Sequence, residues 1–375
     1  MLGLPSISEN LSKVDLEGYP RRVENGVAAL SRACRLDVGS ELARFRTCRD
    51  RLGVPQKQGP AGDWMTQVRQ SVLSGTPLIF ELVATFAGDS LKGFGYLTQG
   101  RSTGTLPANL GGLLAGTLEL HLGGGGSQGE ALLLADVFRL VFPSLGGLVE
   151  FSLMSQGMIV GIVPRGGKLT LKTYFNTRLD SSGEHRAKVV AILARCGMQD
   201  QGFYDLLYAQ NDGVRFHGVG IDLDGDGCNR VKLYVRMPRA RLNFALETLA
   251  ARLQPDTTLA ESTILKPVRE MLEAMRSDEL VDEVELAAAL RTGGTPTAKV
   301  TVFWASSFVS VREHDQLKQY LSRLGYPADA LDNAIAALAD NADRAVSQRH
   351  PLHGLGIEVP TQARPKLNVY LQPVL

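Results

Sequence analysis

Little in this chain points to a membrane, a polyanionic surface or a disulfide-bonded scaffold. No apolar run reaches the ~18 residues needed to cross a bilayer. Lys+Arg number 40 against Asp+Glu 39 in 375 residues, a net charge of +1. Nucleic acid and anionic lipid select for a basic surface, so neither partner is expected. The four cysteines, Cys34, Cys48, Cys196 and Cys228, lie far apart and form no Cys-x-x-Cys pair, which predicts reduced thiols of the cytosolic kind. The opening MLGLPSISENLSKVD has no basic segment followed by an apolar one, so no signal peptide is expected and a cytoplasmic location is. What the chain does have is 44% hydrophobic residues, enough for a sizeable core and too many for disorder.

Hydrophobic periodicity predicts helices followed by strands, repeated along the chain. Apolar residues three and four apart mark helices at 23–53 and 61–74, before strand-like runs at 77–86 and 91–98. Helices at 108–121 and 128–141 precede strands at 150–163 and 168–176, joined by Pro164-Arg-Gly-Gly. Helices at 184–197 and 201–209 lead to strands at 214–223 and 229–237. The fourth round has helices at 239–253 and 262–277 with strands at 280–288 and 298–306. The fifth has helices at 312–324 and 328–345 with strands at 354–359 and 365–372. A basic residue anchors the second strand of each pair, at Lys92, Lys172, Lys232, Lys299 and Lys366, separated by 80, 60, 67 and 67 residues. Five helix-helix-strand-strand repeats of this kind make an α+β fold. Hairpin neighbours are antiparallel, and ten strands with one helix-covered face close most simply into a barrel ringed by helices, which leaves no exposed edge. The chain is therefore expected to be a single domain over residues 1–375.

On those second strands a base and an aromatic ring recur two residues apart. One reads Thr170-Leu-Lys172-Thr-Tyr174-Phe, another Arg230-Val-Lys232-Leu-Tyr234-Val, and the last Arg364-Pro-Lys366-Leu-Asn368-Val-Tyr370. Residues i and i+2 of a strand share a face. If that face is solvated, the pattern is that of an ordinary antiparallel sheet. If it looks inward, a ring of buried ammonium groups is costly and implies a bound anion. Lys92, Lys172, Arg230, Lys232 and Lys366 then suit a phosphate or diphosphate. Tyr174, Tyr234, Phe303 and Tyr370 would sit one step along, where aromatic faces stabilise a cation and exclude water.

Lys172-Thr-Tyr174, Arg230-Val-Lys232-Leu-Tyr234 and the closing Lys366/Tyr370 strand resemble the diphosphate-binding and tyrosine-shield motifs of the dimethylallyltryptophan synthase family. These indole prenyltransferases have the ABBA barrel, antiparallel strands inside a ring of helices. The resemblance spans residues 77–375 and is similar to bacterial more than to the longer fungal members. It implies transfer of a dimethylallyl group from dimethylallyl diphosphate to an indole, tryptophan or a tryptophan-derived small molecule, in secondary metabolism. It also implies no metal or other cofactor, and no Asp-Asp-x-x-Asp cluster is present to hold magnesium diphosphate. The family places an acidic residue against the indole N–H and a diphosphate-binding base eleven residues later; Glu81 and Lys92 keep that spacing, with lysine where arginine is usual. A salt bridge to an inward lysine is the other reading of Glu81.

Two departures bear on the outcome. The family's Gln-x-Tyr reads Thr301-Val-Phe303 here, so the shield lacks one hydroxyl. The strand Ser155-Gln-Gly-Met-Ile-Val-Gly offers no lysine where some members place a base for ring deprotonation. Glu81 remains to take the indole N–H proton, which favours attack through nitrogen.

Other motifs are weaker. Asp222-Leu-Asp224-Gly-Asp226-Gly227 resembles the start of a calcium loop, but the twelfth position is Leu233 rather than glutamate, so a hairpin turn is expected. Gly125-Gly-Ser127-Gln-Gly129 matches the serine-hydrolase elbow without the β-α-β alternation which that fold requires, and a helix connection is expected. His350 and His353 have no third ligand nearby. Two rival functions follow: a non-catalytic barrel binding a phosphorylated lipid or nucleotide, and a hydrolase using Ser127.

Overall fold

A computed structural model describes residues 19–52, 80–98, 106–143, 158–165, 168–177, 182–199, 202, 204, 213–223, 227–253, 263–275, 280–291, 296–304, 311–338, 351–359 and 364–372. Ten strands, β1 (Phe80–Ala87), β2 (Ser90–Thr98), β3 (Met158–Arg165), β4 (Lys168–Asn176), β5 (Arg215–Leu223), β6 (Cys228–Pro238), β7 (Leu280–Arg291), β8 (Thr297–Trp304), β9 (Leu352–Val359) and β10 (Lys366–Leu371), pair in chain order. β1 then pairs with β10, and the sheet closes into an antiparallel barrel. The described helices are α1 (Tyr19–Ala33), α2 (Val38–Arg51), α3 (Leu106–Gly123), α4 (Gln128–Val141), α5 (Ser182–Arg195), α6 (Leu242–Leu253), α7 (Leu265–Ala274), α8 (Val311–Arg323) and α9 (Asp329–Leu338). None is long and apolar enough to cross a membrane.

Alternation along each strand divides the residues between two environments. Leu171, Thr173 and Phe175 of β4, and Val231, Leu233 and Val235 of β6, are essentially inaccessible and, except for Thr173, belong to the hydrophobic core between barrel and helices. The intervening Lys172, Tyr174, Lys232 and Tyr234 consequently face the barrel interior. A single-residue slip would exchange the two sets, so burial of the apolar face specifies the register.

The expected helix at 23–53 is two helices. Arg35 has φ of 56°, Leu36 N–H donates to Ser31 O, and Asp37 caps α2 by accepting from Ser40 N–H at 2.7 Å. Both helices supply the core, α1 with Val23, Val27 and Leu30 and α2 with Phe45 and Cys48, so apolar residues recur on either side of the break. Pro164 and Arg165, read as a turn, belong to β3 and lie opposite Leu169 and Lys168. β5 ends at Leu223, where the strand expected at 214–223 ends, so Asp222, the first residue of the calcium-loop-like motif, lies in the strand and not in the turn. β7 extends to Arg291, three residues beyond its expected end. The expected helix at 61–74, most of that at 201–209, the far ends of those at 262–277 and 328–345, the strand residues 150–157, His350 and turn residues 224–226 lie outside the described residues.

Candidate active site

The inner face is tiered along the barrel axis. At one end Arg230 and Lys232 of β6 converge on Asp222 of β5. Arg230 donates from Nε and Nη2 to Asp222 Oδ2 at 2.9 and 2.6 Å, and Lys232 Nζ lies 2.7 Å from Oδ1. Across the barrel Lys366 of β10 donates to Glu358 of β9 at 2.9 Å. Lys172 of β4 faces this group with no ion pair among the described residues. Lys299 of β8 donates to the Tyr370 hydroxyl at 2.5 Å. Five cations thus stand against two carboxylates, a surplus that an incoming polyanion would balance.

The crowding shows in the proton affinities. Burial drives Lys172 down from 10.5 to about 8; Asp222 opposes the shift, and Arg230, Lys366 and Lys299 add to it. Burial likewise lowers Lys232, offset in part by Asp222. Burial works to raise the Asp222 carboxyl, yet Lys232, Arg230 and Lys172 hold it well below the usual carboxylate range. Glu358 is similar: burial raises it, and Lys366 and Arg230 bring it to about 2.

The next tier is aromatic. Tyr174 and Tyr234 meet edge to face at 5.6 Å between centroids. Lys232 Nζ lies 5.6 Å from the Tyr174 ring, and Lys299 Nζ lies 6.0 Å from Tyr234 and 5.2 Å from Tyr370. The rings have room because adjacent strands carry glycine. A Cβ on Gly220 would come within 3.1 Å of both Tyr174 and Tyr234, and one on Gly356 would press on Thr301, Lys299 and Tyr370 at 3.2–3.5 Å. A cavity of about 500 Å³ runs from the cation end to Tyr174 and Tyr370, within the range of small-molecule sites. Lys172, Arg230, Lys232, Lys366, Tyr174 and Tyr370 line it, against an apolar wall that includes Val83, Gly95 and Ala289.

Glu81, Tyr234 and Phe303 are not among the cavity's lining residues. Glu81 belongs to the far end of the barrel. Burial raises its carboxyl from 4.5 to about 8, despite Gln372 within hydrogen-bonding reach and Lys299 nearby. His353 Nε2 lies 3.8 Å from Glu81 Oε1, and the His353 ring is 5.3 Å from Phe303. Arg236 stands 5.6 Å from the Phe303 ring, and His217 Nδ1 lies 2.9 Å from Glu285, whose carboxyl falls to about 2. The alternative of a salt bridge from Glu81 to an inward lysine is not formed among the described residues.

Lys92 stands apart from the other bases. The register shifts between Thr85 and Phe86, so Lys92 falls on a bulge at the mouth of the cavity; its side chain is 55% exposed and 3.5 Å from Asp89. A bulge cannot be seen in residue spacing, which is why Lys92 read as an equal member of the ring. Lys299, the fourth repeat's anchor, joins the site although no aromatic hydroxyl follows it on β8; its ring partner is Tyr370 of β10. Asp222, Glu358 and His353 carried no signal, since each is defined by partners on other strands.

Ser127 is a helix cap. It accepts from Glu130 N–H at 3.2 Å, while the Glu130 carboxylate accepts from Ser127 N–H at 3.0 Å. His121 Nε2 also points at Glu130, at 3.1 Å, and Gly227 N–H donates to it at 3.0 Å. Serine and histidine therefore both address one carboxylate, which ties α3, α4 and the β5–β6 hairpin together. Among the described residues no group of three or more His, Cys, Asp or Glu side chains is placed to hold a metal ion.

No protein-family model matches the sequence, and no curated protein matches it. Among solved structures the chain is similar to a 5-dimethylallyltryptophan synthase from Streptomyces coelicolor in complex with DMASPP and Trp, at 18% identity and TM-score 0.69, covering 94% of this chain and 94% of that one. It is similar to a 6-dimethylallyltryptophan synthase from Micromonospora olivasterospora in complex with DMASPP and Trp, at 19% identity and TM-score 0.67, covering 94% and 96%. AnaPT from Neosartorya fischeri matches at 17% identity and TM-score 0.68, covering 100% and 96%. At these identities the likeness is one of fold, and the fold is that of these proteins.

Proposed function

We propose that this chain is an aromatic prenyltransferase that moves a dimethylallyl group from dimethylallyl diphosphate to the indole of tryptophan or a tryptophan-derived small molecule, without a metal. One observation carries the reading: a surplus of inward-facing cations opens directly onto a tier of tyrosine rings within one cavity. A binding site for a phosphorylated ligand needs only the first of these. A reaction that releases diphosphate and passes through an allylic cation needs both, side by side. The likeness in fold to synthases solved with DMASPP and Trp supports the same assignment.

The chemistry assigned to the residues is as follows. Lys172, Arg230, Lys232, Lys366 and Lys299, with Lys92 at the mouth, hold the diphosphate. They stabilise the charge that grows on it as the allylic C–O bond breaks and the electron pair leaves with oxygen. Tyr174, Tyr234 and Tyr370 face the resulting cation, and Phe303 extends the wall towards the acceptor. Glu81 holds the indole N–H and so positions the nucleophile. Attack through nitrogen is the outcome assigned, because Glu81 is the acceptor for that proton. The chain works as one domain, since residues from β1 to β10 contribute.

The test is to incubate the protein with dimethylallyl diphosphate, a panel of indoles including L-tryptophan, and EDTA, and to read products by mass. A product one prenyl unit heavier, formed despite EDTA and lost in Lys172→Ala or Tyr234→Phe protein, supports the reading. Tight diphosphate binding with no product would favour a binding barrel instead. A product attached through carbon would sink the nitrogen assignment alone.

A further inference from the structure

The far end of the barrel holds a second ionisable group whose placement has a chemical consequence. His353 sits on β9 beside a shift in the β9–β10 register, between Leu352 opposite Leu371 and Gly354 opposite Tyr370. That irregularity adds a residue to β9 and turns the imidazole inward. Its Nε2 faces Glu81 Oε1 at 3.8 Å, a separation that one small closure on acceptor binding would bring to hydrogen-bonding distance. Its Nδ1 is buried with no hydrogen-bond partner among the described residues. The ring is therefore aimed at a single polar group, the Glu81 carboxyl. Phe303 closes one side of it, at 5.3 Å.

We infer that His353 receives, through the Glu81 carboxyl, the proton that the acceptor nitrogen loses on prenylation. This rests on the prenyltransferase reading above. As the allylic C–O bond breaks with its electron pair going to diphosphate, the nitrogen lone pair forms the N–C bond. The N–H bond then yields its electron pair to nitrogen and its proton to Glu81 Oε2. In the same movement Glu81 Oε1–H gives its proton to His353 Nε2, so the carboxyl ends as it began and the imidazole becomes imidazolium. Solvent takes that proton as product leaves.

The relay answers a difficulty that Glu81 alone would face. Burial holds its carboxyl at about 8, so near neutral pH it already carries a proton and cannot act as a simple base. A protonated carboxyl can still accept at one oxygen if it donates from the other, and His353 is placed to receive. Burial, reinforced by Arg236, lowers the imidazole to about 4, so it is neutral and open to a proton at the start. A partnerless Nδ1 makes the imidazolium short-lived, which resets the pair after each turnover. The other charged and titratable groups at this end are Lys299 of β8, Glu285 of β7, His217 of β5, Arg236 of β6 and Tyr370 of β10. Lys299 pulls the Glu81 carboxyl down and Glu285 pushes it up. His217 and Arg236 are engaged with Glu285, and Tyr370 with Lys299.

The experiment is the pH dependence of kcat, at saturating dimethylallyl diphosphate and L-tryptophan or whichever indole the wild type turns over. Wild type, His353→Gln, His353→Phe and Glu81→Gln are compared from pH 6 to 9.5. With the relay intact the wild-type rate is flat, because Glu81 serves as relay below its pKa and as carboxylate above it. In both His353 variants only the carboxylate can accept. Their kcat falls at least ~10²-fold at pH 6, in the range of a lost general base, and climbs tenfold per pH unit towards about 8. Glu81→Gln stays low at every pH. Wild-type product with His353 variants within twofold of it and parallel in pH would overturn the relay and leave the prenyltransferase reading standing. No product from the wild type with any indole would overturn both.

Discussion

Lys172→Met should make the unliganded protein more stable while weakening its hold on diphosphate. The substitution keeps an unbranched chain of similar bulk and removes the charge. Lys172 falls from 10.5 to about 8 on folding, with burial the largest cause. At about 1.4 kcal/mol for each tenfold change in proton affinity, this caps the charge penalty at about 3 kcal/mol. Water in the cavity screens part of it, so about 1–3 kcal/mol is expected. The sign follows from linkage: the folded lysine releases its proton before the unfolded one does. The penalty is complete below pH 8 and fades as pH rises towards 10.5, so wild-type stability climbs across that window. Asp222 is held by Arg230 and Lys232 at 2.6–2.9 Å, so loss of the Lys172 charge should leave it paired. Urea unfolding at pH 7 and pH 10 reads the stability, and calorimetric titration with inorganic diphosphate reads the affinity. The variant should be more stable at pH 7, lose most of that advantage at pH 10, and bind diphosphate at least ~10-fold more weakly, as expected for loss of one charge-assisted contact. A variant that is less stable at pH 7, with unchanged affinity, would refute the idea that Lys172 is held charged for an anion.

Two further outcomes follow from the packing. Gly220→Leu places side-chain atoms where Tyr174 and Tyr234 meet, at a position whose Cβ alone comes within 3.1 Å of both rings. Prenylation should drop sharply while diphosphate binding at the cation end changes little, and turnover measured beside calorimetry checks this. Ser127→Ala removes a capping box at α4 and should cost about 1 kcal/mol in urea unfolding, with prenylation unaltered and no labelling of the wild type by a serine-directed fluorophosphonate.

The chain's repeats were legible because helix and strand periods are local properties. The anchors at Lys92, Lys172, Lys232, Lys299 and Lys366 announced five hairpins, and apolar alternation on β4 and β6 indicated which face packs on helices. The Lys-x-Tyr rows followed, because residues two apart on a strand share a side whatever the rest of the chain does. Local pattern could not reveal a break in α-helical phase at Arg35, where a single φ of 56° separates two helices that both supply the core. Nor could it reveal the bulge that carries Lys92 to the cavity mouth, since a bulge is a mismatch between two strands.

The sequence alone determined the α+β class, the strand count, and which side chains share a face. Only the tertiary structure decided how charge is distributed among them. Asp222 lies eight and ten residues from the cations it joins, at the end of β5, and Glu358 meets Lys366 across a strand pair. Glu81 and His353 are brought together from opposite ends of the barrel's chain, because closure makes β1 a neighbour of β10 and β10 a neighbour of β9. Coulomb energy and desolvation depend on distance and burial, and neither quantity exists until the barrel has closed.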